Sequence, residues 1–222
     1  MRLVFVADTH LAHEERRFLV PQGDVFVHAG DLCSYGRLYE LERAVRWIRD
    51  LDFRHKIVVA GNHDWPFARE AEAARALVSE VATYLEDSGV TLEGVKFWGS
   101  PWQPAFGGWA FNLPRGRALA EKWEMIPVDT DVLITHGPPR GFGDRTFRGK
   151  KEGCDELLRC LEKVHPPIHV FGHIHEDGGL WNHQGTTVAN VTTWDCERGA
   201  TALDFDVESR RVIPVIVPPR RG

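Results

Sequence analysis

The stretch IVVAGNHD, residues 57–64, joins a short β-branched apolar run to a glycine and then to an amide, an imidazole and a carboxylate. Valine and isoleucine in so short a run predict a buried strand. Gly61 permits a sharp turn out of the sheet and a close approach of backbone. This stretch therefore predicts a buried strand whose end carries side chains able to bind a metal ion.

Four other segments repeat this pattern of an apolar strand that ends in Asp or His. They are VFVADTH (4–10) with Asp8 and His10, VFVHAGD (25–31) with Asp31, VLITHGPP (132–139) with His136, and HVFGHIHE (169–176) with His173 and His175. Open α/β sheets bind ligands beyond the carboxyl ends of their strands, so we expect all five ends to converge on one site. In extended backbone, residues i and i+2 share a face, which pairs Asp8 with His10 and His173 with His175.

Helical patterns separate several of the strands and place the chain in the α/β class. Apolar residues recur at helical spacing in four segments, 36–51, 68–85, 116–126 and 154–164. The last part differs, because the β-type runs 186–191, 200–207 and 211–217 follow one another without helices and predict an antiparallel sheet. We expect a layered α/β fold with two packed sheets in one domain, residues 1–222.

Composition excludes several classes of protein. The chain of 222 residues is 43% hydrophobic with a formal net charge of -5, which argues against a nucleic-acid partner. No apolar run approaches the roughly 20 residues that cross a bilayer, and the apolar start MRLVFV is too short for a signal peptide. The four cysteines form no CxxC pair, so we expect reduced thiols and a cytoplasmic protein.

The candidate ligands are too many for one tetrahedral ion. They are Asp8, His10, Asp31, Asn62, His136, His173 and His175. Such a set suits two cations that share a bridging carboxylate. Two divalent cations would bring four positive charges against two aspartates, so the site should attract an anion such as a phosphate ester, as paired metals about 3.5–4 Å apart do in phosphatases. Imidazole and carboxylate without thiolate favour manganese, iron or zinc.

The blocks DTH (8–10), GD (30–31), GNHD (61–64), TH (135–136) and GHIH (172–175), in this order, resemble the five signature blocks of the metallophosphoesterase, or calcineurin-like phosphoesterase, superfamily. Segments 99–116 and 135–144 resemble the small metallophosphoesterase-domain proteins related to class III cyclic nucleotide phosphodiesterases. The resemblance implies a four-layer α/β/β/α sandwich of two packed mixed sheets.

The resemblance also implies roles for the site residues. Asp8, His10, Asp31 and His175 would hold one metal, and Asp31, Asn62, His136 and His173 the other, with Asp31 bridging. A metal-activated hydroxide would attack phosphorus, and His63 would protonate the leaving oxygen as general acid. Asp64 would orient the ring of His63.

The resemblance implies that the motifs bind a phosphoryl group, and it leaves the substrate open. The leading hypothesis is a phosphodiesterase that acts on small substrates such as cyclic nucleotides. The alternatives are a phosphomonoesterase acting on nucleotides or phosphoproteins, and a metal-bearing interaction module with low turnover. Arg115, Arg140 and Arg145 are candidate phosphate clamps, and Trp102 or Phe142 a candidate platform for a nucleobase. The sequence does not indicate an oligomeric state.

Overall fold

The computed structural model describes residues 1–16 and 18–219. The strands are β1 (Arg2–Val6), β2 (Val25–Ala29), β3 (His55–Val59), β4 (Thr83–Tyr84), β5 (Ser88–Leu92), β6 (Val95–Ser100), β7 (Gln103–Pro104), β8 (Asn112–Leu113), β9 (Val132–Thr135), β10 (Ile168–Phe171), β11 (Gly179–His183), β12 (Thr186–Asn190), β13 (Thr201–Asp206) and β14 (Arg211–Ile216). The helices are α1 (Leu38–Asp50), α2 (Trp65–Arg69), α3 (Ala71–Ser79), α4 (Arg117–Trp123) and α5 (Asp155–Val164), with 3-10 turns at Ala12–Glu14 and His175–Asp177.

Two mixed sheets form the centre of the molecule. The first sheet has the order β14-β13-β1-β2-β3-β4 and the second has the order β11-β12-β10-β9-β6-β5. In the first sheet β1, β2, β3 and β4 run parallel, and in the second sheet β6, β9, β10 and β12 do. The carboxyl ends of parallel neighbours lie at one edge of their sheet, which is where the sequence places its polar residues.

The main core lies between the two sheets. Phe5, Val27 and Val59 of the first sheet belong to the same buried cluster as Phe97 and Ile134 of the second. These side chains alternate along their strands with residues that face the helices, as the period of two requires. Both sheets are therefore covered on both faces, which explains their nearly continuous apolar strands.

Helices cover the outer faces and complete four layers. Leu41 and Ile48 of α1 pack with Val4 and Val58 on the outer face of the first sheet. Trp123 of α4 and Leu161 of α5 pack with Leu133 on the outer face of the second sheet. The predicted α/β/β/α sandwich is confirmed.

The structure corrects two expectations about the elements. The helix predicted over 68–85 is divided into α2 and α3 and ends at Ser79, after which Thr83–Tyr84 joins the first sheet. The last strands do not form one antiparallel sheet, because β12 pairs parallel with β10 while β13 and β14 extend the first sheet. Each tail segment thus adds to the open edge of an existing sheet, a choice that the local sequence does not encode.

Two further findings concern the whole of the described chain. Within residues 1–16 and 18–219, no helix has the length and apolarity needed to cross a membrane. The four cysteines, Cys33, Cys154, Cys160 and Cys196, are free thiols.

Candidate metal centre

The polar residues at the strand ends adopt backbone conformations that L-amino acids seldom take. Asp8, His10, Asp31 and His173 have φ angles of 55°, 41°, 59° and 72°. A left-handed residue other than glycine costs about 1–2 kcal/mol, and such residues cluster at functional sites. The chain holds these four side chains in place at an energetic cost, which supports a functional role for their position.

The first donor group, Asp8, His10 and His175, brings the ends of β1 and β10 together. The Nε2 atoms of His10 and His175 lie 3.5 Å apart, and His175 Nε2 lies 3.6 Å from Asp8 Oδ1. Asp8 is fully buried. One carboxylate and two imidazoles at this separation can hold one metal ion.

The second donor group, Asp31, Asn62, His136 and His173, joins the ends of β2, β3, β9 and β10. Asn62 Oδ1 lies 2.9 Å from His136 Nε2 and 2.7 Å from His173 Nδ1. Asp31 Oδ2 lies 3.3 Å from His136 Nε2 and 3.8 Å from His10 Nε2 of the first group. Asp31 is therefore the residue that lies between the two groups.

Hydrogen bonds to backbone carbonyls fix two of the imidazole rings. His10 Nδ1 lies 2.9 Å from the Cys33 carbonyl, and His136 Nδ1 lies 2.9 Å from the Ala29 carbonyl. Each Nδ1 must donate to its carbonyl, so the neutral ring turns the lone pair of Nε2 toward the site. Ligating histidines characteristically donate their other N–H in this way.

The donor set fits a pair of cations. The inward Nε2 of His136, the oxygen of Asn62 and the carboxylate of Asp31 present lone pairs to one another at hydrogen-bond distance. Such converging lone pairs repel one another unless a cation lies between them. Without a metal ion that cation is a proton on His136, and a metal ion can take its place. The residues present therefore match the chemistry that two divalent metal ions require.

The electrostatics of the buried groups point the same way. Burial disfavours a charged His136, but the Asp31 carboxylate outweighs burial and raises the pKa of His136 to about 9. For His175 burial again opposes the charge, and Asp8 raises the pKa to about 9. Burial alone would favour a neutral Asp8, yet the facing His175 keeps the pKa of Asp8 below its ordinary value. The site favours positive charge at both donor groups.

Two glycines allow the backbone to pack directly against the candidate ligands. A Cβ atom on Gly61 would lie 2.3 Å from Asp31 Oδ1, and one on Gly172 would lie 2.5 Å from Asp8 Oδ2. No side chain fits at such distances. Gly61 and Gly172 thus let the strand ends approach the carboxylates directly.

His63 lies beside His10 and Asp31, but Asp64 does not orient its ring. His63 Nδ1 lies 2.6 Å from the Ser34 carbonyl, and the ring stacks on Trp109 with centroids 4.2 Å apart. The buried Asp64 carboxylate instead accepts hydrogen bonds from four backbone N–H groups, those of Asp31, Leu32, Cys33 and Gly61. The predicted role of Asp64 is corrected, because its short side chain is used to tie the loop after β2 to the loop after β3.

Two further buried histidines contact threonines next to the donor groups. His28 Nε2 lies 2.9 Å from Thr9 Oγ1, and His169 Nε2 lies 2.9 Å from Thr135 Oγ1. Burial lowers the pKa of both imidazoles to about 3, so they are neutral at physiological pH. These histidines support the loops that carry the candidate ligands.

A cleft of about 550 Å³ opens over the two groups. His173 and His175 form part of its wall, together with the aromatic rings of Phe106, Phe147 and Trp194. A mostly apolar concave surface beside polar groups is typical of small-molecule sites. The sequence reasoning missed these three aromatic residues, since they come from loops that only the fold brings together.

Of the predicted substrate residues, the structure places one in the cleft and the others outside it. Arg115 lines the cleft, and its guanidinium donates to the carbonyls of Glu152 and Gly153 at 2.7 Å each. Among the described residues that line the cleft, it is the only arginine.

The other candidates have contacts elsewhere. Arg140 bonds to the Lys151 carbonyl and lies 3.7 Å from Asp155. Arg145 is exposed, and its backbone N–H donates to Asp177 at 3.0 Å.

The two predicted aromatic platforms also pack away from the cleft. Trp102 Nε1 donates to Asp87 at 2.9 Å, with Lys122 over the indole ring at 4.4 Å. Phe142 packs on His183, with ring centroids 4.9 Å apart. The prediction that Trp102 stacks on substrate is wrong, because the turn after β6 directs the indole toward the layer of helix α4.

One acidic residue was missed altogether. Asp195, five residues after the end of β12, places its carboxylate 3.9 Å from His10 Nε2. The sequence pattern that could have identified it is an Asp after a sixth apolar strand. Asp195 lies further from the end of its strand than the polar residues of the other five strands do, so the pattern was not recognised.

A family of metal-dependent phosphoester hydrolases is defined by this fold and site. The chain matches the profile of the calcineurin-like phosphoesterase family over residues 1–177 and belongs to that family. It is 41% identical over 216 residues to metallophosphoesterase domain-containing protein 1 of Homo sapiens. That alignment covers 86% of this chain and 65% of the human protein. A UPF0046 protein of Caenorhabditis elegans is 37% identical over 212 residues, and that alignment covers 90% of this chain and 71% of the nematode protein.

The fold is also similar to that of TT1561 of Thermus thermophilus. Its crystal structure gives a TM-score of 0.63 at 14% sequence identity and covers 96% of this chain and 97% of that one. Against the human relative, this chain spans 65% of the length, just under two thirds.

Proposed function

We propose that the protein is a dinuclear metal-dependent phosphodiesterase that acts on small phosphodiesters such as cyclic nucleotides. One cation would be held by Asp8, His10, Asp31 and His175, and the other by Asp31, Asn62, His136 and His173. The observation that carries the proposal is the convergence of lone pairs on Asp31, whose Oδ2 lies 3.3 Å from His136 Nε2 and 3.8 Å from His10 Nε2. Manganese, iron and zinc fit this set of nitrogen and oxygen ligands.

Divalent cations held by the two groups would supply an activated water molecule and polarise the phosphate oxygens. The chain's own residues supply the remaining functions. His63 Nδ1 donates to the Ser34 carbonyl at 2.6 Å, which leaves Nε2 as the nitrogen that gives a proton to the leaving oxygen.

The cleft supports a substrate with an apolar or aromatic group next to the phosphate. Phe106, Phe147 and Trp194 offer ring surfaces within one cavity. Arg115 adds a positive charge on the same wall, although two carbonyls already share its guanidinium. A nucleoside attached to the scissile phosphate has the size and the flat apolar surface that such a cavity favours.

The test is a substrate screen on protein reconstituted with manganese, iron or zinc. Bis-p-nitrophenyl phosphate, p-nitrophenyl phosphate and 3′,5′- and 2′,3′-cyclic nucleotides are assayed side by side, with the metal content measured in each sample. We expect two bound ions per chain and faster turnover of the diesters. Preference for p-nitrophenyl phosphate would identify a phosphomonoesterase instead, and full metal loading without turnover would identify an interaction module.

A further inference from the structure

The turn that follows β12 contains the most strained run of backbone near the site. Trp194, Asp195 and Cys196 are consecutive and have φ angles of 47°, 53° and 60°. Three left-handed residues in a row, none of them glycine, persist only where surrounding contacts fix them. The conformation of this turn is therefore fixed by its tertiary contacts.

Backbone hydrogen bonds tie the turn to the start of the first donor group. The N–H of Thr193 donates to the Ala7 carbonyl at 2.8 Å, and the N–H of Asp195 donates to the Asp8 carbonyl at 3.0 Å. On the other side of the turn, the N–H of Arg198 donates to the Thr193 carbonyl at 2.8 Å. Asp195 is thus held at a fixed position relative to Asp8.

The side chain of Asp195 lies at the open side of the first donor group. Its Oδ1 atom is 3.9 Å from His10 Nε2, and the side chain is 46% exposed. The preceding residue, Trp194, lines the cleft. This half-exposed carboxylate therefore lies beside the first metal position and next in sequence to a residue of the cleft wall.

This carboxylate changes the charge of the site. The proposed ligands include two carboxylates, Asp8 and Asp31, so two divalent cations would leave a charge of about +2. Asp195 reduces that value to about +1. A phosphodiester carries one negative charge, whereas a phosphomonoester carries nearly two above its second pKa of about 6.

We propose that Asp195 is a specificity determinant that favours monoanionic phosphodiesters over dianionic phosphomonoesters. It repels both anions, but it repels the dianion about twice as strongly because the interaction scales with charge. The inference rests on the proposed function and deepens it, since the seven proposed ligands bind the phosphoryl group common to both substrates.

Asp195→Asn is the variant that tests the idea. Asparagine keeps the shape and tolerates the left-handed conformation, so it removes the charge with little change in the backbone. We expect the ratio of kcat/KM for bis-p-nitrophenyl phosphate to that for p-nitrophenyl phosphate, at pH 8, to fall by about 3- to 10-fold. That is the range for one unit charge roughly 6 Å away at an effective dielectric constant of about 40–80.

Calorimetry gives a readout that is independent of turnover. Inorganic phosphate and dimethyl phosphate are titrated into metal-loaded wild type and Asp195→Asn, after the metal content of each has been measured. Both anions should bind the variant more tightly, and phosphate should gain about 3- to 10-fold more than dimethyl phosphate. Asp195→Gly, which removes both the charge and the strain of the left-handed position, serves as a second variant and should give the same shift.

Glu197→Gln is the matched control. Glu197 lies in the same turn and carries the same charge, but it pairs with Arg16 at 3.2 Å. Its substitution should leave the substrate ratio and both anion affinities unchanged. An equal shift in this control would overturn the role of Asp195.

The remaining outcomes distinguish failure of the inference from failure of the proposed function. If Asp195→Asn hydrolyses both substrates with the wild-type ratio, the inference fails while the proposed function stands. A loss of one metal equivalent in this variant would make Asp195 a ligand and also overturn the specificity role. If wild type with two bound metals hydrolyses neither substrate, the proposed function fails, and the calorimetric comparison still decides the inference.

Discussion

The backbone N–H of His63 donates a hydrogen bond to Oδ1 of Asp31 at 2.8 Å. The other oxygen of the same carboxylate faces both donor groups, at 3.3 Å from His136 and 3.8 Å from His10. One aspartate therefore fixes the proposed general acid in relation to both metal positions. The sequence places His63 directly after Asn62, so the loop after β3 supplies a ligand and an acid together.

Asp31→Ala should abolish binding of both metals. The variant removes the one carboxylate that both groups share, so each group loses an anionic ligand. We expect less than one metal ion per chain by elemental analysis and loss of phosphodiesterase activity. Circular dichroism checks that the fold is retained. A variant that still holds two tightly bound ions would contradict the bridging role.

His63→Ala should bind both metals and hydrolyse alkyl phosphodiesters about 10²–10⁴-fold more slowly, since general acid catalysis contributes that much. For p-nitrophenyl esters the effect should be small, because that leaving group departs without a proton. The measurement is kcat for both substrate types at equal metal content. His55→Ala, which removes an imidazole paired with Glu93 at 3.2 Å, is the control. Undiminished turnover of alkyl diesters by His63→Ala would rule out the acid.

Gly172→Ala should weaken metal binding at least about tenfold and destabilise the fold by about 1–3 kcal/mol. The added Cβ would lie 2.5 Å from both Asp8 Oδ2 and the Ala7 Cβ, so the loop or the ligand must move. Gly108→Ala is the control, since a Cβ there meets nothing within 4 Å. Calorimetric metal titration and urea denaturation measure the two effects. Equal behaviour of both variants would show that the close approach is unimportant.

Asp64→Ala should destabilise the protein by at least about 3 kcal/mol. The change leaves four backbone N–H groups without their acceptor, and an unsatisfied buried donor costs about 1–3 kcal/mol. The free energy of unfolding by urea measures this loss. Asp64→Asn retains one carbonyl oxygen and should fall between wild type and Asp64→Ala. A stable Asp64→Ala variant that merely slows leaving-group protonation would support orientation of His63 instead.

His169→Gln should make the metal-free protein less sensitive to acid. Burial lowers the pKa of His169 from 6.5 to about 3, so between these pH values the unfolded chain binds a proton that the folded chain excludes. Stability therefore falls as the pH drops through that window. Between pH 7.5 and pH 5, wild type should lose about 2 kcal/mol more than the variant.

The pH effect is measured by urea denaturation at both pH values, and Gln retains a donor for Thr135. His165→Asn is the control, because His165 is an exposed residue at the end of α5. It should leave the pH dependence unchanged. Identical pH dependence in wild type and His169→Gln would show that protonation of His169 does not reduce the stability of the folded protein.

The order of apolar strands and helices was readable from the sequence because local side-chain periodicity determines it. The polar strand ends of each sheet were readable as well, since parallel strands bring their carboxyl ends to one edge of their own sheet. That rule groups Asp8, Asp31 and Asn62 at the edge of the first sheet and His136 and His173 at the edge of the second. The packing of the two sheets brings both sets together. Sequence alone therefore determined the fold class, the family and the set of candidate ligands.

Only the tertiary structure decided which side chains from distant loops share a space. The pairing of β12 with β10 brings the turn at Asp195 to His10, and the indole of Trp102 turns toward α4 rather than the cleft. Asp64 bonds to backbone N–H groups because the loop after β2 lies within its reach. Such contacts depend on loop geometry and on long-range packing, and the local pattern of apolar and polar residues contains neither.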